Sequence, residues 1–173
     1  NETGNTWAPL TPSSTSPNLV DGLNRMGGSF GPEISTGLTI SNALSGTLVA
    51  EVKYAIGATN LFDQWNPAGT NNLYDNMVAR VNQSIADLQT QLVRTGYVAG
   101  FFWMQGQSDA IALRNGYAEN LRNFIASVRR DFNTPNLPFV FGQIIDFGPP
   151  NSTILRAQQQ AVADDNTVTN TAF

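Results

Sequence analysis

A cluster of polar side chains follows an apolar stretch in residues 97–110, which read YVAGFFWMQGQSDA. Residues 97–104 do not alternate between polar and apolar types, which predicts a strand covered on both faces. Gln105 can donate hydrogen bonds through its side-chain amide, and Asp109 can accept them. Because open α/β sheets bind ligands at the carboxyl ends of their strands, these residues form a candidate site. The same pattern also fits a strand and a polar turn in which Gln105 and Asp109 cap the next helix.

The chain contains no histidine and no cysteine. A serine hydrolase that works near neutral pH normally needs an imidazole to accept the hydroxyl proton, because histidine titrates in that range. These residues alone therefore cannot build a Ser-His pair. The absence of cysteine excludes disulfides and thiolate sites, but it does not indicate a redox compartment.

The length of 173 residues and the hydrophobic content of 41% predict one globular domain with a sizeable core. Charged residues make up only 13% of the chain and the net charge is −4, so nucleic acid is not an expected partner. No apolar run approaches the ~20 residues that a membrane span requires. A composition rich in Asn, Thr, Ser and Gln favours a secreted or periplasmic protein.

The hydrophobic pattern alternates between helix and strand periods along most of the chain. The predicted helices cover residues 31–46, 73–92, 111–132 and 154–162. The predicted strands cover residues 47–56, 97–104, 138–145 and 167–173. Residues 1–29 are rich in Pro, Ser and Thr and are predicted to form a long surface loop. This order predicts an α/β fold with a doubly wound, mostly parallel sheet between helices.

Three residues in these elements carry expectations of their own. Lys53 lies in an otherwise apolar segment and should either pair with a carboxylate or lie near the end of the strand, since a lone buried ammonium is costly. Ser108 is expected to cap the helix that follows residues 97–104. Ser152 or Thr153 is expected to cap the helix at residues 154–162.

Residues 103–110, WMQGQSDA, resemble the WxQGESDA segment of the carbohydrate O-acetylesterases of the SGNH-hydrolase superfamily. This group includes sialate O-acetylesterases and carbohydrate esterase family 6, and Gln107 stands where it usually has Glu. Residues 27–33, GGSFGPE, are similar to the family's second conserved block, in which a glycine before a helix offers its N–H to the oxyanion. Gly31 is the match, with Gly28 as the second choice. A glycine required only for the turn is the alternative interpretation.

The resemblance implies a flavodoxin-like three-layer fold and a serine-type acetylesterase that needs no metal or cofactor. It implies an oxyanion hole formed by the Gln105 amide and the Gly31 backbone N–H. The implied substrate is an acetylated carbohydrate, and the implied substrate-binding residues are Trp65, Trp103, Gln107 and Asp109. Packing in the loop is the alternative role for Trp65.

The family's GQSN-like nucleophile block and its Asp-x-x-His are not found in these residues. Gly106-Gln107-Ser108 imitates the nucleophile block, but it occupies the place of the third block, so Ser108 is not expected to be the nucleophile. The expectation is a single SGNH-like domain, residues 1–173, that forms the central section of a longer esterase without its first strand and Asp-x-x-His segment. One alternative is a non-catalytic carbohydrate-binding or structural module. A Rossmann-like nucleotide binder is disfavoured, because no strand is followed by G-x-G-x-x-G. The sequence indicates neither the particular sugar nor an oligomeric state.

Overall fold

The structure is a computed structural model that describes residues 7, 32–69, 72–113, 115–148 and 150–173. The described helices and strands are, in chain order, α1 (Glu33–Ala43), α2 (Leu73–Leu92), β1 (Phe101–Trp103), α3 (Gln107–Ile111), α4 (Tyr117–Asp131), β2 (Phe139–Phe141), α5 (Asn151–Ala163) and β3 (Thr171–Ala172). The strands form one parallel sheet in the order β1-β2-β3. The predicted α/β class, with a parallel sheet flanked by helices, is confirmed.

The chain divides into two compact units, one of Asn1–Gly57 and Arg80–Gly96 and the other of Ala58–Ala79 and Tyr97–Phe173. In the described part of the first unit, Lys53 Nζ lies 2.9 Å from Glu33 Oε1. The expectation of a carboxylate partner for Lys53 is thus confirmed. The second unit contains the sheet with α3, α4 and α5. No helix among the described residues combines the length and apolarity needed to cross a membrane.

An aromatic cluster forms the core of the second unit on one face of the sheet. Alternate residues of a strand point to the same face, so Phe101 and Trp103 share a side, as do their β2 partners Phe139 and Phe141. Phe124 of α4 packs against this side, with its ring centroid 4.3 Å from that of Trp103 and 6.2 Å from that of Phe139. Large aromatic contacts of this kind dominate core energetics. They hold α4 against β1 and β2.

Two of the predicted strands differ from the structure. Residues 48–56 form no strand, because a strand requires a neighbour for its backbone hydrogen bonds and no described segment pairs with them. β1 is an edge strand of the described sheet, and Phe102 on its other face is 52% exposed. The prediction that both faces of residues 97–104 are covered is therefore wrong for the described residues.

The segment predicted as one helix at residues 111–132 forms parts of two helices. α3 ends at Ile111 and α4 begins at Tyr117. Between them, Leu113 and Gly116 have φ angles of 51° and 80°. This left-handed conformation cannot continue a right-handed helix. The break leaves Ile111 67% exposed, whereas Tyr117 belongs to the core.

Neither α3 nor α5 has a side-chain N-cap, so the expected caps are wrong. Gly106 and Pro150 occupy the N-cap positions, which places Ser108 and Ser152 inside their helices. Ser152 Oγ instead donates to Asp146 Oδ1 at 2.6 Å and accepts from the Phe147 N–H at 3.2 Å. Ser152 therefore holds the loop that precedes α5.

A hydrogen bond joins the first turn of α2 to the end of α4, and its removal should be measurable. The Tyr74 hydroxyl donates to Asp131 Oδ2 at 2.6 Å, and the Tyr74 ring is 2% exposed. Tyr74→Phe keeps the ring and removes the bond. We expect the free energy of unfolding to fall by about 1.5 kcal/mol at pH 7, near the lower end for bonds to charged groups, because Asp131 is partly exposed. Urea denaturation measures this difference.

The Tyr74→Phe effect should also depend on pH. Arg130, with a smaller contribution from Tyr74, lowers the pKa of Asp131 below its ordinary value. A depressed carboxyl pKa contributes stability that is present above the unfolded-state pKa and is lost as the pH falls through the folded-state pKa. The difference in free energy of unfolding between wild type and Tyr74→Phe should therefore narrow in urea titrations as the pH falls below the ordinary aspartate pKa of about 3.9. A gap that widened on acidification would contradict this assignment.

Candidate active site at the carboxyl end of β1

The chain turns at Gly106, directly after Gln105 and before α3. Gly106 has a φ of 143°, a conformation that residues with side chains rarely adopt. A Cβ at this position would lie 2.7 Å from Leu155 Cδ2 and 2.9 Å from Ile144 Cγ2. The turn therefore requires glycine both for its conformation and for space. It starts α3 immediately beyond the strand and places Asp109 one helical turn after Gln105.

Asp109 holds the segment around residues 59–62 against α3. Its carboxylate accepts hydrogen bonds from the Leu61 N–H at 2.9 Å, from the Phe62 N–H at 3.2 Å and from Gln105 Nε2 at 2.6 Å. The residue is 1% exposed, so these three donors compensate for the loss of water around the carboxylate. The predicted contact of Asp109 with substrate stays a prediction, and the structure assigns its oxygens to internal bonds.

Gln105 is held through each polar atom of its side chain. Its Nε2 donates to the Thr59 carbonyl at 3.0 Å as well as to Asp109 Oδ2. Its Oε1 lies 3.2 Å from the Tyr117 hydroxyl, whose single proton is shared between this oxygen and the Gln105 main-chain carbonyl. A primary amide has two N–H donors, and both have acceptors in this arrangement. To donate to an oxyanion, as predicted, Gln105 would exchange one of these acceptors for the substrate oxygen.

Two buried residues from the helices contact the same strand end. Burial raises the pKa of Tyr117 well above its ordinary value, so its hydroxyl stays protonated and donates to the Gln105 carbonyl at 3.0 Å. Gln159 of α5 donates from Nε2 to the Gln105 and Gly142 carbonyls, each at 3.2 Å. The sequence interpretation missed both. The available signal was a polar Gln159 on the apolar face of α5 formed by Leu155 and Val162.

The two predicted tryptophans lie in the core near Gln105. Trp65 and Trp103 are 3% and 8% exposed, and their rings meet edge to face at 5.3 Å. Trp65 Nε1 donates to Thr59 Oγ1 at 2.8 Å. In the described structure both indoles therefore pack internally, as the alternative interpretation of Trp65 had it. Their contact with a substrate stays a prediction.

The remaining predicted residues are only partly described. Gln107 is exposed at the first position of α3, and Ser108 is half-buried at the second. Gly31 and Gly28 lie outside the described residues. The structure therefore brings together Gln105, Asp109 and the tryptophans, whereas the predicted pairing of Gln105 with Gly31 stays a prediction.

A cavity of about 300 Å³ opens beside Asp109, between α3 and α5. Its apolar lining comes from Ala110, Leu113, Ile154 and Leu155, and its polar lining from Asp109, Asn115, Asn151 and Gln158. Side-chain amides donate and accept hydrogen bonds without carrying charge. Besides the Asp109 carboxylate, the cavity therefore offers three neutral amides on an aliphatic surface. The described part of the chain contains no cluster of three or more His, Cys, Asp or Glu that could hold a metal ion.

A parallel sheet with a polar cluster beyond its strand ends defines an α/β protein whose site lies where such sheets bind ligands. The sequence model of the SASA family, described as carbohydrate esterase, sialic acid-specific acetylesterase, matches residues 5–173. The chain belongs to this family, which confirms the resemblance found in the sequence.

One solved structure shows how much of a similar protein these residues represent. A protein from Arabidopsis thaliana, determined by X-ray crystallography at 1.6 Å, is 26% identical to this chain, with a TM-score of 0.63. The similarity covers 79% of this chain and 53% of the plant protein, so the chain spans about half the length of that protein. No curated protein matches the sequence.

Proposed function

We propose that the protein containing these residues is a serine-type carbohydrate O-acetylesterase. It removes acetyl groups from a polysaccharide or a sialic-acid-type sugar through an acyl-enzyme. The observation that carries the proposal is the family match over residues 5–173. The buried polar cluster of Gln105 and Asp109 supports it, because it lies at the strand end where α/β sheets bind ligands.

The chemistry requires a nucleophile, a base and donors for the oxygen that becomes negative. In the first step, a serine oxygen bonds to the acetyl carbon while the base takes its proton, and the sugar hydroxyl leaves with that proton. In the second step, the base takes a proton from water as the water oxygen bonds to the acetyl carbon. The bond to the serine oxygen then breaks, the base returns that proton to the serine, and acetate is released. Residues 1–173 contain no histidine, so the imidazole base of the proposed enzyme lies outside them. Gln105 and the Gly31 N–H are the proposed oxyanion donors.

The cavity beside Asp109 supports a carbohydrate as the acetylated group. Sugar hydroxyls need partners that both donate and accept, and the Asn115, Asn151 and Gln158 amides supply them. The aliphatic side chains of Leu113 and Ile154 offer a surface for the C–H groups of a sugar ring. Binding pockets commonly combine an apolar lining with a few polar groups of this kind.

The full-length gene product tests the proposal. We expect it to release acetate from acetylated xylan or O-acetylated sialic acid and to cleave nitrophenyl acetate. Failure to hydrolyse any of these esters would contradict the esterase proposal. Binding of a glycan without hydrolysis would instead support a non-catalytic carbohydrate-binding module, which the lack of histidine in these residues favours as the second candidate.

Gln105→Ala tests the proposed oxyanion donor in the full-length protein. We expect kcat to fall on the order of 100-fold with little change in KM, since the lost bond stabilises only the transition state. Steady-state kinetics on nitrophenyl acetate measures both constants, and circular dichroism verifies folding. Gln160→Ala, an exposed amide on α5, is the matched control and should leave kcat unchanged. A kcat that Gln105→Ala leaves intact would remove Gln105 from the mechanism.

A further inference from the structure

Near the polar cluster, a side chain takes the place of the backbone hydrogen bonds that pair β1 with β2. A final backbone bond runs from the Gly142 N–H to the Trp103 carbonyl at 2.9 Å. Beyond it, the amide of Gln159 takes over, donating to the Gln105 and Gly142 carbonyls and accepting from the Ile144 N–H at 3.0 Å. One side chain of α5 thus bridges the carboxyl ends of two neighbouring strands.

The environment of this bridge leaves its amide few alternatives. Gln159 is 0% exposed. Without it, the Ile144 N–H and the Gly142 carbonyl would each lose a hydrogen bond, and the Gln105 carbonyl would keep only the bond from Tyr117. An unpaired buried polar group is costly, so all three bonds favour one orientation of the amide. Gly106 leaves room for this amide, because a Cβ at that position would lie 3.4 Å from Gln159 Nε2.

Tyr117 adds a second buried contact from another helix. Its hydroxyl lies 3.0 Å from the Gln105 carbonyl and 3.2 Å from Gln105 Oε1. The main-chain oxygen of Gln105 therefore accepts from both α4 and α5, and its side-chain oxygen faces α4. Any shift of the strand end would break bonds to both helices at once.

We propose that Gln159 and Tyr117 are positioning residues that hold the end of β1 against β2 and orient the Gln105 amide. They act through Gln105 rather than on the substrate. Their effect on catalysis rests on the proposed esterase function, whereas their effect on Gln105 does not. A primary amide suits the bridge because it donates twice and accepts at the same time.

The kinetic test compares Gln159→Leu with Gln159→Glu in the full-length protein. We expect Gln159→Leu to lower kcat on the order of 100-fold with little change in KM, because small displacements of catalytic groups have effects of this size. In Gln159→Glu, burial favours the neutral acid, which restores one donor as the pH falls. Its kcat relative to wild type should therefore rise on acidification, whereas that of Gln159→Leu should not. Circular dichroism at each pH separates this dependence from a change in the folded fraction, and Gln160→Leu should match wild type throughout.

A second measurement tests the inference without relying on esterase activity. If wild type cleaves no ester, the proposed function fails, but this measurement still tests the roles of Gln159 and Tyr117. The side-chain NH₂ resonances of Gln105 are assigned in nitrogen-15 spectra by their loss in Gln105→Ala. We expect Gln159→Leu to shift them and to speed their solvent exchange roughly 10-fold or more, the equivalent of one lost hydrogen bond. Gln160→Leu should leave them unchanged.

Tyr117→Phe covers the case in which Gln159→Leu does not fold. It removes one hydroxyl and keeps the buried ring, and we expect it to shift the same Gln105 resonances and to speed their exchange. Gln105 resonances and exchange rates identical to wild type in a folded Gln159→Leu or Tyr117→Phe protein would overturn the inference.

Discussion

Replacing Asp109 with alanine is expected to lower the free energy of unfolding by about 2–6 kcal/mol, because it removes the acceptor of two backbone donors at about 1–3 kcal/mol each. The carboxylate is 1% exposed and accepts from two backbone N–H groups and the Gln105 amide. Removal leaves the Leu61 and Phe62 N–H groups without their acceptor, and an unsatisfied buried donor costs about 1–3 kcal/mol. The loss of stability therefore comes mainly from the backbone N–H groups that no longer have an acceptor.

Urea denaturation followed by tryptophan fluorescence measures the Asp109→Ala effect. The free energy of unfolding of Asp109→Asn should lie between those of wild type and Asp109→Ala. Its amide keeps one acceptor oxygen but turns an NH₂ towards existing donors. Asp75→Asn, an exposed carboxyl change on α2, should stay within about 0.5 kcal/mol of wild type. Hydrogen exchange at Leu61 and Phe62 should accelerate in Asp109→Ala. A loss of stability below about 1 kcal/mol would show that Asp109 does not hold residues 59–62.

The second large effect is expected at the turn between β1 and α3. Gly106→Ala combines a disallowed φ with a steric conflict against Leu155 and Ile144. Backbone strain costs about 1–3 kcal/mol and overpacking costs a similar amount, so we expect a loss of roughly 2–6 kcal/mol. The substitution should also displace Gln105, because the turn and the strand end share their contacts with α5. The proposed esterase activity of the full-length protein should also be lower in a folded Gly106→Ala variant than in wild type.

Two other glycines separate the causes of the Gly106→Ala effect. Gly116 has a φ of 80°, and a Cβ added there would have no neighbouring atom within 4 Å, so Gly116→Ala carries only the backbone cost of about 1–2 kcal/mol. Gly57 has neither a positive φ nor a close neighbour, so Gly57→Ala should be nearly neutral. Urea denaturation of the three variants should give the order Gly106, Gly116, Gly57 from most to least destabilised. Equal losses at Gly106 and Gly116 would show that the packing against α5 relaxes freely.

The helices were the most predictable part of the fold. α2 has the bounds predicted from the spacing of its apolar residues, 73–92. Helix hydrogen bonds join residues four apart, so the pattern that forms a helix lies within the segment itself. The break between α3 and α4 was not predicted, since apolar spacing continues across it and the left-handed backbone of Leu113 and Gly116 interrupts it.

The strands were less predictable because their partners lie elsewhere in the chain. Residues 97–104 and 138–145 contain β1 and β2, but each of these two strands has only three residues. Residues 48–56 have an equally apolar pattern and form no strand in the described part of the chain. Strand propensity describes a residue that suits a pleated surface, and the neighbouring strand decides whether that surface exists.

By itself, the sequence determined the α/β class, the family and the location of a polar cluster at residues 105–109, because these follow from local periodicity and from a contiguous motif. The tertiary structure alone decided which groups meet there. Asp109 bonds to backbone N–H groups 48 and 47 residues away, and Gln159 reaches a carbonyl 54 residues away. Backbone donors and acceptors are the same at every position, so no residue type marks them in advance. Folding selects them by bringing their segments together around buried side chains that must be satisfied.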